Sequence, residues 1–179
     1  MQELKRILVC IDFSDMDKFV IGCASKIAEM MESSRVDFLH ISNTNDESVK
    51  AQIEQEIKEI FTAKAETTVN IQAGKIVDAT LHWAGLHRSE LIILGKKKKS
   101  QSSAKHATEI TNKALCSILL VPAMENYSFE KLFVPIDFTK GSKMSIEQAV
   151  KLKAKIDSKI ILQHVFYAHT GYSTSGKTY

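Results

Sequence analysis

The sequence predicts an α/β fold: a five-stranded parallel sheet with helices on both faces, followed by a partial second copy of β-α-β form. Three observations carry this. Short unbroken apolar runs alternate with stretches of helical periodicity, the connections between them are brief, and the opening strand motif returns 125 residues later, Asp12 reappearing as Asp137.

The first run, RILVCID (Arg6–Asp12), is short and branched and lacks the alternation of a one-sided sheet, so it reads as a strand buried on both faces. Asp12 to Asp17 supply cap-type residues. Phe19, Val20, Cys23, Ile27 and Met30/Met31 then recur at helical spacing. RVDFLHIS (Arg35–Ser42) is a second strand, and Val49, Ile53, Ile57 and Ile60/Phe61 mark an amphipathic helix. TTVNIQA (Thr67–Ala73) reads as a third strand, with a helix from Gly74 through Leu81 and Trp83. ELIILG (Glu90–Gly95) is the fourth strand, Thr108–Leu115 a short helix, and SILLVP (Ser117–Pro122) the fifth strand. Ligands of such sheets sit beyond the carboxyl ends of the strands, where the winding reverses. Asp12 and Gly95 both stand at such ends.

Composition narrows the function classes. A chain of 179 residues with 44% apolar content suits one α/β domain or slightly more. The net charge of +3, from 24 basic and 21 acidic residues, is too mild to indicate nucleic acid. Trp83 and Phe13, Phe19, Phe38 and Phe61 fall on core-facing positions and do not interleave with basic residues as a stacking platform would. Cys10, Cys23 and Cys116 form no CxxC pair and read as buried free thiols of a reducing cytosol. His82, His87, His106 and His169 show no metal-ligand spacing, so no metal is expected. The N-terminus has neither signal-peptide nor anchor character, and no apolar run approaches membrane length. The expectation is a soluble cytoplasmic protein without membrane or nucleic-acid partners.

RILVCIDFS (Arg6–Ser14) returns as KLFVPIDFT (Lys131–Thr139), and His40 of VDFLHIS matches His164 of IILQHVF after loss of one residue. A repeat of this length is a second domain copy. The expected division is a domain over residues 1–123, a linker over 124–129 and an incomplete second domain over 130–179. Three elements cannot enclose a core of this type. The second copy is therefore expected to belong to a longer tandem protein, or to pack on the first domain or another chain.

ILVCIDFSD, VDFLHIS, SELIILG and SILLVP, in this order and spacing, resemble the universal stress proteins across Gln2 to Pro122; KLFVPIDFT with IILQHVF resembles the start of a second such domain. The resemblance implies the strand order 3-2-1-4-5, dimerisation through the last strand, and adenine-nucleotide binding in some members. Carried over, it places nucleoside contacts at Cys10, Ile11, Asp12 and Phe13, an adenine contact at Ile41, and ATP with Mg²⁺ as the cofactor if the site is retained. The implied homodimer edge is Leu119, Leu120 and Val121, a row of apolar groups whose free strand edge invites pairing.

The phosphate-binding pattern of the binders is Gly, two residues, Gly, nine residues, Gly, then Ser or Thr. Glycines let backbone N–H groups approach phosphate, and the last pair opens a helix whose positive end favours anions. Gly95 fits the first position. The second falls on Lys98, the third on Thr108 and the hydroxyl on Glu109. Counted back from SILLV, the helix starts near Ala104 and the loop is several residues short. LGKKKKSQSSAKHATEI thus reads as the remnant of a phosphate loop; its lysines attract anions without the shaped cradle.

GYSTSGKT (Gly171–Thr178) satisfies G-x-x-x-x-G-K-[ST], but the mechanism needs a helix directly after it, so the match reads as coincidence. No general base or nucleophile is positioned, and slow ATP hydrolysis is the most an enzyme reading would claim. The expected function is a stress-response regulator acting by dimerisation or protein interaction with a degenerate adenine-nucleotide site. The alternative is an ATP-binding protein that uses the lysine-rich loop.

Overall fold

The computed structural model describes residues 4–44, 47–96, 101–125 and 127–165, with the side chains of 101–104 excepted. The chain divides into two compact units, Met1–Tyr127 and Ser128–Tyr179. In the first, β1 (Arg6–Ile11), α1 (Asp17–Met31), β2 (Arg35–Ile41), α2 (Glu47–Ile60), β3 (Glu66–Gln72), α3 (Ile76–Leu86), β4 (Leu91–Gly95), α4 (Gln101–Lys113) and β5 (Ser117–Val121) follow one another. The sheet has the order β3-β2-β1-β4-β5, and all of its pairings are parallel.

The unbroken apolar runs are the strands covered on both faces. Ile7, Leu8 and Val9 of β1 and Ile92 and Ile93 of β4 are fully buried, each worth about 1.5–3 kcal/mol of transfer free energy. Leu8, Leu39, Ile92 and Leu94 form one face with Val77 and Ala84 of α3 and Ile110 of α4. The opposite face meets α1, which buries Val20, Ile21, Ala24 and Ile27. Phe38 meets Phe61 edge-on at 5.8 Å between ring centres on the α2 side. Ser25 Oγ of α1 accepts from the Thr62 and Ala63 N–H groups and fixes the end of α2.

A buried carboxylate on β2, Asp37, is held by donors. Asp37 is 2% exposed, and its Oδ1 accepts from Arg35 Nε at 2.8 Å and from Thr68 Oγ1 at 2.5 Å. A buried carboxylate without such donors would destabilise the sheet by several kcal/mol.

Two expectations change. The helix expected at Thr108–Leu115 is α4, Gln101–Lys113; its first turns carry Gln, Ser, Lys and His rather than apolar periodicity. Phe13 is 39% exposed instead of core-facing, because φ is +56° and the left-handed residue turns the side chain away from the strand.

The second unit comprises β6 (Lys131–Ile136), α5 (Lys140–Lys153) and β7 (Lys159–His164), with β6 and β7 parallel. Val134 and Ala149 are buried, whereas Phe133, Met144, Val150 and Leu162 are exposed.

Candidate functional site

β1 lies between β2 and β4, so the carboxyl ends of these three strands converge where the winding of the sheet reverses. Asp12 and Phe13 leave β1 here, Ile41 ends β2 and Gly95 ends β4. The turn after β1 is held by its own side chains. Ser14 Oγ donates to Asp12 Oδ1 at 2.5 Å and also accepts from the Met16 N–H. The Asp12 N–H donates to Asp17 Oδ1 at 3.3 Å. Asp17, the first residue of α1, thereby closes the turn.

Asp17 is 3% exposed and its Oδ2 has no hydrogen-bond partner. Burial, and then the Asp12 carboxylate nearby, push its carboxyl up to about 6. Sequence reasoning saw Asp17 only as cap material; its burial had no local signal.

His40 of β2 reaches across to β1, its Nδ1 lying 2.9 Å from the Ile11 carbonyl oxygen, which it donates to in the tautomer that satisfies both groups. Its ring meets Phe13 edge-on at 4.8 Å. His40 therefore locks the β1 terminus and Phe13 over β2. Ile11 itself is 3% exposed, so only its backbone borders the site. Cys10 points to α3, with its sulfur 4.0 Å from Thr80 Oγ1, and burial pushes the thiol up to about 12. The thiol therefore stays protonated at neutral pH. Ile41 is half-buried against the α3 face.

Gly95 has a packing reason to lack a side chain: a Cβ there would lie 3.1 Å from Met16 Cβ and 3.4 Å from Val20 Cγ2. The β4 terminus thus passes close under the start of α1. The β4–α4 connection is five residues, 96–100, between Gly95 and Gln101. Lys96 is exposed and its N–H donates to the Val121 oxygen at 2.7 Å. Lys98 lies outside the described residues, as does the Gly171–Thr178 motif. Thr108 and Glu109 sit well inside α4, where Lys113 Nζ donates to Glu109 Oε1 at 2.6 Å. They are not at a helix start, so the glycine count that reached them cannot describe a phosphate cradle.

The second unit repeats the scheme of the turn with Thr139 in place of Ser14 and Ser142 in place of Asp17, and its helix begins two residues earlier in the register, at Lys140. The Asp137 N–H donates to Ser142 Oγ at 2.8 Å, Ser142 standing where Asp17 stands in the first copy. Asp137 Oδ1 accepts from the Thr139 N–H at 3.0 Å, Thr139 Oγ1 at 2.7 Å and Ser142 Oγ at 2.5 Å. Phe138 is left-handed with φ +64°, and His164 Nδ1 lies 2.8 Å from the Ile136 oxygen. Beside it opens a cavity of about 470 Å³ lined by Asp137, Thr139, Gly141, Ser142, Ser145 and Gln163, among others.

Among the described residues no cluster of histidine, cysteine or acidic groups could hold a metal, and no helix is long and apolar enough to cross a membrane. No protein-family model and no curated protein sequence matches the chain. Solved structures do. A universal stress protein from Archaeoglobus fulgidus DSM 4304 superposes with a TM-score of 0.72 at 16% identity, over 95% of this chain and 68% of that one. A universal stress protein in complex with cAMP gives 0.57 at 14% identity, over 69% of this chain and all of the other. One from Archaeoglobus fulgidus in complex with dAMP gives 0.51 at 17%, over 65% and 96%. The chain has the universal stress protein fold.

Proposed function

We propose that this chain is a universal stress protein-like regulator of the cytoplasm, acting by dimerisation or protein interaction, whose adenine-nucleotide site is degenerate in its phosphate half. The observation that carries this reading is the five-residue connection between β4 and α4. It is too short for the glycine pattern, and the residues that pattern would use as cradle, Thr108 and Glu109, are spent inside a helix. The second unit supports the same reading, because it repeats the Asp-Phe turn and its histidine lock.

The homodimer edge is β5, the outermost strand of the first sheet. Leu119 is half-buried and Leu120 is 40% exposed, while Val121 anchors the strand in the core. Such an edge offers unpaired backbone groups beside apolar side chains. Sedimentation velocity tests it. The wild-type chain is expected to sediment as a dimer and Leu120→Lys as a monomer; an unchanged mass in the variant would refute this interface.

The alternative reading, nucleotide binding, draws on the ligands of the fold's other members, cAMP and dAMP, each of which carries a single phosphate. A site that retains its nucleoside half around Asp12, Phe13 and Ile41 would hold a monophosphate with less help from the lost cradle. Lys96 and the amino end of α4, whose first turn has no acidic residue, would supply the attraction. In that reading Asp12→Ala abolishes nucleotide binding, and retained affinity in the variant would sink it.

A further inference from the structure

The amino-terminal end of the first sheet, opposite Asp12 and Gly95, carries a second cavity. It measures about 360 Å³, within the range of small-molecule sites. α3 and the turn after it contribute Leu81, Ala84, Gly85, Arg88 and Ser89; Ile92 comes from β4; and Lys113, Ala114, Leu115 and Cys116 come from the end of α4 and the approach to β5. The walls are chiefly aliphatic. Ser89 is 8% exposed, and its Oγ has no hydrogen-bond partner. A buried hydroxyl left unpaired costs about 1–3 kcal/mol, so its presence here needs a reason.

The turn that holds Ser89 is built firmly. Its N–H donates to the Ala84 oxygen at 2.8 Å, and Arg88 occupies the left-handed cap position with φ +52°. Arg88 has no side-chain partner among the described residues, whereas Lys113 pairs with Glu109. The carbonyl ends of α3 and α4 both point to this region and would by themselves favour a cation. Against that stands the Arg88 guanidinium at the rim, the lining charge without a side-chain partner among the described residues. The Cys116 thiol is pushed up by burial and so adds no negative charge. Leu115 lines the cavity, yet its side chain is wholly exposed, an apolar flap with nothing to cover.

We propose that this cavity is a ligand site for a small amphipathic anion, an aliphatic chain ending in one carboxylate. The chain would lie along Leu81, Ala84, Ile92 and Ala114, with Leu115 folding over it. The carboxylate would accept from Ser89 Oγ and from Arg88. The site is separate from the strand-end turn and does not depend on nucleotide binding.

The test uses the full chain titrated with octanoate below its micellar concentration, followed by calorimetry and by amide chemical shifts. Octanoate should saturate, with the largest shifts at Ser89 and Ala114, and octanol should bind about tenfold more weakly for want of the charge-assisted bonds. Ser89→Ala and Arg88→Gln should each weaken octanoate several-fold, and Ser89→Ala should raise thermal stability by removing the unpaired hydroxyl. Ala114→Phe, which fills the cavity, should abolish binding, while Asp12→Ala should leave it unchanged. No saturable binding, equal affinity for octanol, indifference to Ser89→Ala and Arg88→Gln, or loss with Asp12→Ala would each overturn the proposal.

Discussion

The turn after β1 and the turn after β6 share a left-handed phenylalanine and the same histidine lock, but five residues separate β1 from α1 and three separate β6 from α5, and their electrostatics are opposite. In the first copy the group that receives the strand-end N–H is a buried carboxyl, Asp17, pushed up to about 6 chiefly by burial. In the second it is the Ser142 hydroxyl, which also donates to Asp137; with Thr139 it pulls that carboxyl down to about 2. The exchange of Asp17 for Ser142, with the donors of Thr139, sets whether the turn resists or favours negative charge. An anionic ligand meets a self-repelling pair, Asp12 and Asp17, in the first copy. In the second it meets hydroxyls already oriented around a single, well-satisfied carboxylate.

The comparison makes a stability prediction with a definite sign. Asp17 keeps its proton in the folded state up to about pH 6 but releases it near pH 4 when unfolded. The first unit therefore loses stability as pH rises from 4 to 6, by about 2–3 kcal/mol in total, and is level above that. Asp17→Ser, which gives the first turn the chemistry of the second, should remove this slope and stabilise the chain at pH 7 by a similar amount. Urea unfolding at pH 4 and pH 7 measures both; a variant with the wild-type slope would show that Asp17 is not the titrating group. Asp137 has the opposite sign: its depressed carboxyl favours folding above pH 4, and that contribution fades as pH falls through about 2.

The reciprocal exchange, Ser142→Asp, should raise the Asp137 carboxyl, because a donor is replaced by a second negative charge. Carboxyl carbon shifts against pH follow this directly, and an unmoved Asp137 would break the analogy between the turns. The smallest expected effect concerns the locks. His40→Ala should destabilise the first unit by about 1 kcal/mol through loss of the bond to Ile11. His164→Ala should do less, since His164 is exposed whereas His40 is half-buried. Equal losses would mean that burial does not strengthen the lock.

Much of this was legible in the residues. Strands such as RILVCI and LIILG announce themselves as doubly covered by unbroken apolar runs, and the repeat of Asp12-Phe13 as Asp137-Phe138 foreshadowed two equivalent turns. The start of α4 was not legible, because among its described side chains Ala107 and Ile110 are the ones that meet the core and its first two turns are rich in polar residues. Phe13 misled because nothing in its identity signals a left-handed backbone, which is normally the province of glycine or asparagine. Asp17 escaped because a carboxyl near a helix start is ordinarily solvated; only the close passage of Gly95 beneath Met16 packs this helix start tightly against the sheet.

The central claim, a nucleotide site that has lost its phosphate half, is tested most directly by calorimetric titration of the chain with ATP and Mg²⁺ at physiological and at high salt. The account predicts either no saturable heat or weak binding that disappears as salt screens the lysines. Micromolar affinity with little salt dependence would contradict it, and would show that the short loop after Gly95 forms a working cradle.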